Sequence, residues 1–115
     1  MSVKSITVFM GSQLGADPEF TTIASALGQA LAQRQITLVY GGGRDGLMGV
    51  TARAAMAHGG QVIGVSPKNL AEETMPAADI TKLITVETMS ERKELLMSLA
   101  DAFIVLPGGF GTLEE

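Results

Sequence analysis

Residues that could do chemistry gather at one end of the chain, in Pro107-Gly108-Gly109-Phe110-Gly111-Thr112-Leu113-Glu114-Glu115. This stretch follows an apolar run, Ala102 to Leu106, which reads as a fully buried strand. A glycine-rich turn that leaves a strand and opens a helix collects backbone N–H groups at one point, and such a point binds phosphate. Gly108, Gly109, Phe110, Gly111 and Thr112 are the expected cradle, with the Thr112 hydroxyl as an added donor. Glu115 stands about one helical turn further on. A carboxylate is not needed to hold phosphate, and its charge opposes it. Its presence points to catalysis or to recognition of a sugar hydroxyl.

A second glycine-rich loop, Gly41-Gly42-Gly43-Arg44-Asp45-Gly46, also sits between a strand and a helix. It contains the spacing of the dinucleotide fingerprint G-x-G-x-x-G. Two features argue against NAD or FAD. The loop follows the second strand rather than the first, and Ser66-Pro67-Lys68 stands where the ribose-binding acid belongs. Leu47-Met48 in place of Lys and Ser/Thr excludes a Walker loop. Without a nucleotide, the loop is a tight turn with close strand–helix packing.

Met89-Ser90-Glu91-Arg92-Lys93 puts two cations on the first turn of a helix, where the macrodipole disfavours them. They are either solvated or held for an anionic partner. Gly11 and Ser12 open a loop at the end of the first strand. The remaining polar residues read blandly. His58 is a solvated helix end, Glu72, Glu73 and Asp79 are loop solvation, and Asp101 is structural. The seven methionines are core or interface filler.

The elements that must position these residues alternate regularly. Strands are expected at Val3–Met10, Ile36–Tyr40, Gln61–Val65, Leu83–Val86 and before the terminal motif. Helices are expected from Pro18, capped by Asp17, to about residue 34, from Leu47 to His58, and from Met89 to about Ala100. Phe20, Ile23, Ala24, Leu27 and Leu31 share the inner face of the first helix. Thr88 and Glu91 form a capping box for the third. Residues 68 to 82 read as a polar surface excursion. The pattern is one α/β domain, residues 1–115, with a doubly wound parallel, Rossmann-like sheet. All its glycine-rich loops fall at carboxyl ends of strands.

Composition narrows the function classes. With 46% hydrophobic and 17% charged residues, the chain has apolar surface to cover, so either it self-associates or it is part of something larger. A net charge of −4 argues against general nucleic-acid binding. No cysteine is present, which removes disulfides and thiolate metal sites and suits a cytoplasmic protein. No run reaches the length of a membrane span.

Pro-Gly-Gly-x-Gly-Thr-x-x-Glu, from Pro107 to Glu115, resembles the signature of the Lonely Guy (LOG) family, phosphoribohydrolases formerly labelled lysine decarboxylases. Tyr40-Gly-Gly-Gly-x-x-Gly-Leu-Met-Gly49 and Met89-x-x-Arg92-Lys93 are similar to two further blocks of that family. Gly11-Ser12-Gln13-Leu14-Gly15 departs mildly from its Gly-Ser-Ser-x-Gly. The resemblance implies hydrolysis of the N-glycosidic bond of a nucleoside 5′-monophosphate, AMP or an N6-modified AMP, to free base and ribose 5-phosphate. It implies Arg92 and Glu115 as the catalytic residues. Gly11, Ser12, Gly42, Gly43, Met89, Lys93 and the Gly108–Thr112 cradle would bind substrate, with no metal or organic cofactor. Decarboxylation fits poorly, since Lys4, Lys68, Lys82 and Lys93 show no setting for a pyridoxal Schiff base. The alternative is a nucleotide or molybdenum-cofactor carrier on the same fold, which needs no water-activating carboxylate. The family continues beyond the position of Glu115, so a domain lacking its last strands and helices is expected, weak or inactive by itself. A homodimer is expected.

Overall fold

A computed structural model of the chain describes residues 3–10 and 18–106. Five parallel strands form one sheet: β1 (Ser5–Phe9), β2 (Thr37–Tyr40), β3 (Val62–Pro67), β4 (Lys82–Val86) and β5 (Ala102–Val105). Their order across the sheet is β4-β3-β2-β1-β5. Three helices connect them: α1 (Pro18–Gln33), α2 (Gly46–Ala57) and α3 (Met89–Ser98). The chain steps outward from β1 to β4, then crosses back to place β5 on the far side of β1. Strand order therefore reverses between β1 and β5, and in open α/β sheets ligands bind in the crevice outside the carboxyl ends at that reversal.

The alternation of side chains along each strand builds two cores. Val8, Leu38, Tyr40 and Val62 pack with Ala24 and Leu31 of α1 and with Leu47, Ala52 and Ala55 of α2. Phe9, Val39 and Val65 face the other way and pack with Leu96 of α3, flanked by Leu95 and Leu99. Helices thus cover both faces, as expected for a doubly wound sheet. The Thr88 hydroxyl accepts from the Glu91 N–H at 3.1 Å, the cap expected for α3. Asp101 is structural: its carboxylate accepts from Lys4 N at 2.8 Å and ties the starts of β1 and β5 together. His58 caps the end of α2, exposed, with Nδ1 2.9 Å from Ala54 O.

Four expectations change. The strand before the terminal motif is not fully buried. β5 is an edge strand among the described residues, and Phe103 and Val105 are 45% and 39% exposed. Residues 68–82 are not a surface excursion. They form two short 3₁₀ turns, Lys68–Glu73 and Ala77–Asp79, and sink Met75 and Ile80 into the α1/α2 core. Glu72, Glu73 and Asp79 remain exposed. Strand β3 does not close at Ser66-Pro67 but runs through them, pairing Ser66 with Thr85 and Pro67 with Val86. Ile23, expected on the inner face of α1, is 47% exposed, while Ala24 and Leu31 carry that face. The Asp17 cap lies outside the described residues.

Candidate active site

Arg92 is the centre of what the structure brings together. It lies on the first turn of α3, above the carboxyl ends of the strands, and its side chain is buried at 7% exposure. Its Nε donates to Val65 O at 3.1 Å, and its Nη2 donates to Gly41 O at 2.6 Å. Its burial rules out a merely solvated cation. The guanidinium is held by carbonyls from the ends of two neighbouring strands. Burial of a cation is costly unless it is hydrogen-bonded, and bonds to a charged donor are stronger than neutral ones. A carbonyl is a dipole without net charge, so these two bonds orient the cation without cancelling its charge.

The loop that supplies Gly41 O is itself tied on every side. Gly42 takes a left-handed φ of 79°, a conformation that costs glycine nothing and other residues a steric penalty. Its carbonyl accepts from Met75 N at 2.8 Å, and Arg44 N donates to Glu73 O at 2.9 Å. These bonds make an isolated antiparallel bridge between Gly43 and Thr74. Gly43 O accepts from the Tyr40 hydroxyl at 3.1 Å. The Tyr40 ring is fully buried, and this burial raises its phenol well above the ordinary tyrosine pKa, against a smaller lowering by Arg53.

Residues 70–75 therefore act as a strap. Thr74 Oγ1 donates to Leu70 O at 2.7 Å and lies 2.6 Å from Ser66 Oγ. A hydroxyl has one proton, so with Thr74 donating to the carbonyl, Ser66 donates to Thr74. The strap thereby joins the end of β3 to the loop after β2. A cleft of about 230 Å³ opens on its β4 side, walled by Ser66, Pro67, Met75, Leu83 and Thr85 among others. Among the described residues, none expected at the site lines it.

The expected site residues divide clearly. Gly42 and Gly43 lie in the loop that carries Gly41, beside Arg92. Met89 is half-buried and Lys93 exposed, both on the first turn or so of α3. Gly11, Ser12, Gly108, Gly109, Phe110, Gly111, Thr112 and Glu115 lie outside the described residues. The strands they follow, β1 and β5, are neighbours, joined at their carboxyl ends by Leu106 N donating to Phe9 O at 2.8 Å. Sequence reading missed Gly41, Val65 and the strap. Gly41 was signalled by its place directly after the buried strand. A backbone carbonyl such as that of Val65 leaves no mark on the sequence.

All four lysines are exposed, so none has the desolvated setting that activates an amine as a nucleophile. A family model described as possible lysine decarboxylase matches residues 48–115, more than half of the chain. The chain belongs to the LOG family. It is 45% identical to a cytokinin riboside 5′-monophosphate phosphoribohydrolase of Rhodococcoides fascians, over 97% of this chain and 57% of that protein. A Mycobacterium marinum protein of the same name is 48% identical, over 85% of this chain and 52% of its own length. The chain spans about half the length of the curated LOG relatives it matches. Among solved structures, the molybdenum cofactor binding protein of Rippkaea orientalis matches with a TM-score of 0.82 and 25% identity, over 99% of this chain and 68% of that one. The molybdenum cofactor carrier protein of Chlamydomonas reinhardtii matches at 0.79 with 22% identity, over 95% and 65%, and shares the fold. Among the described residues, no helix is long and apolar enough to cross a membrane.

Proposed function

We propose that this chain carries the catalytic half of a nucleotide phosphoribohydrolase. It hydrolyses the N-glycosidic bond of a nucleoside 5′-monophosphate, AMP or an N6-modified AMP, to free base and ribose 5-phosphate. The observation that carries this reading is Arg92, a buried cation oriented by two strand-end carbonyls at the carboxyl edge of the sheet. The relatives' name, cytokinin riboside 5′-monophosphate phosphoribohydrolase, supports the substrate class.

The chemistry fits the residue types. As the bond from C1′ to the base nitrogen breaks, its electron pair leaves with the base and the sugar becomes oxocarbenium-like. A carboxylate stabilises that cation and takes a proton from the attacking water. Glu115 is assigned this role. Arg92 stabilises negative charge, on the departing base or on the substrate phosphate. The glycine cradle from Gly108 to Thr112 holds the 5′-phosphate, with Gly42, Gly43, Met89, Lys93, Gly11 and Ser12 around the nucleotide. No metal or organic cofactor takes part. A homodimer in the cytoplasm is the proposed setting, with a small-molecule nucleotide as partner and neither nucleic acid nor membrane.

The likeness to the Rippkaea protein favours a second reading, a nucleotide-cofactor carrier on the same frame. One assay separates the two. AMP and N6-substituted AMP are incubated with the purified protein, and free base is quantified by chromatography. The hydrolase reading expects base release that Glu115→Ala and Arg92→Ala each reduce by a factor on the order of a hundred or more. Nucleotide-dependent thermal stabilisation without base release supports the carrier and overturns the hydrolase.

A further inference from the structure

We infer that Gly41 is the positioning residue of Arg92, an inference that rests on the functional reading of Arg92 given above. Two properties of this one residue converge on the guanidinium. Its carbonyl accepts from Nη2 at 2.6 Å, and its missing side chain leaves the space in which the guanidinium lies. A Cβ built on Gly41 collides with Arg92 Nη2 and comes within 3.2 Å of Cζ. Real Cβ atoms do not tolerate the first contact, so one of the two groups must move.

The loop cannot be the one to move. The same Cβ would also stand 3.3 Å from Met48 Cε, which is buried in the α1/α2 core. Gly42 is fastened to the strap by Met75 N, and a Cβ on it would stand 3.1 Å from Ser66 Cβ on β3. Gly41 thus sits in a loop wedged between the guanidinium, α2 and the end of β3. Any side chain at position 41 displaces the guanidinium. That displacement breaks the Nη2 bond, and Nε loses its aim at Val65 O.

In this inference Gly41 acts on the reaction through Arg92, the group its Cβ would strike most closely. This separates it from Gly42, whose need for glycine comes from its own backbone conformation. It also makes a definite non-additive prediction, since residues that act through one contact do not add.

The test combines a kinetic cycle with a spectroscopic readout. Base release is measured for the parent, Gly41→Ala, Arg92→Ala and the double variant. Gly41→Ala is expected to lower kcat/KM by a factor on the order of ten to a hundred, and to change nothing further when Arg92 is already alanine. Equal loss in both backgrounds overturns the inference, as does full activity of Gly41→Ala. Independently, the Arg92 side-chain Nε–H is followed by ¹⁵N–¹H NMR, assigned by its disappearance in Arg92→Lys. In the parent it is expected to be protected from exchange, and in Gly41→Ala to shift and lose protection. An unmoved, protected signal overturns the inference. If the parent releases no base, the functional reading fails while the NMR comparison still decides the positioning. If Gly41→Ala does not fold, the double variant is expected to regain folding because the collision is gone. A double variant that stays unfolded overturns the inference.

Discussion

The carboxyl ends of β2 and β3 are built differently from that of β5. Towards the carboxyl ends of β2 and β3 the side chains are fully buried, Tyr40 on one face of the sheet and Val65 on the other. The Val65 carbonyl and the loop beyond β2 are engaged by Arg92, Tyr40 and the strap. At β5 the α3-side residues Phe103 and Val105 are about half exposed, and Phe9 stacks on the Phe103 ring, at 6.2 Å. The cause is position. Inner strands of a parallel sheet are covered on both faces, and β5 lies at the edge of the described sheet. The cationic part of the proposed site is thus fixed by core packing, while the glycine motif follows an edge strand of the described sheet.

A matched pair of substitutions tests this contrast with the largest expected effect. Val65→Ala and Val105→Ala delete the same two methyl groups on the same face of the sheet. At position 65 the loss removes fully buried surface and opens a cavity, and is expected to cost about 2 kcal/mol. At position 105 the cost is expected to stay within about 0.5 kcal/mol. Urea unfolding midpoints of the three proteins give both numbers. Equal costs would break the comparison and mean that the Val105 face is covered in solution.

The same contrast explains what could be read from the chain. Strand positions were legible because β-branched runs and glycine pairs mark them locally. The Thr88 cap and the structural role of Asp101 were legible too, since each depends on a side chain whose chemistry is explicit. The exposure of β5 was not legible. Ala-Phe-Ile-Val reads alike in the middle or at the edge of a sheet, and sheet order is a property of the whole chain. The strap escaped because Met75 and Ile80 sit among polar residues without a period. Arg92 was singled out as a cation out of place at a helix start, but the carbonyls of Gly41 and Val65 that it bonds are groups every residue has. The other part of the proposed site, Gly11, Ser12 and Gly108 to Glu115, lies outside the described residues.

A smaller effect tests whether the strap belongs to the fixed region. Thr74→Val keeps the shape of the side chain and removes the hydroxyl that bridges Leu70 O and Ser66. Ser66 is only 4% exposed, so its own hydroxyl is left without this acceptor in a nearly dry place. A cost of about 1 kcal/mol is expected, read by urea unfolding. Amide hydrogen exchange should also quicken at Met75 and Arg44, the two N–H groups that close the bridge to the loop. Unchanged exchange there would show that the loop is held without the strap, and the fixed region would shrink to Arg92 and its two carbonyls.

The smallest effect at neutral pH is also the sharpest in its dependence on pH. Tyr40→Phe removes one neutral hydrogen bond to Gly43 O, a loss of about 1 kcal/mol or less. The sign of the pH effect follows from burial, which raises the phenol pKa in the folded state. The unfolded chain then releases this proton first, near the ordinary tyrosine value of about 10. Stability from this group is complete below that pH and is lost as pH rises beyond it. The gap between parent and Tyr40→Phe should therefore narrow, and can reverse, between about pH 9 and about pH 11. Guanidinium unfolding of both proteins across that range measures it. A constant gap would mean that the phenol titrates alike in both states, and that water reaches the end of β2. The contrast between a closed β2–β3 end and an open β5 edge would then be one of degree only.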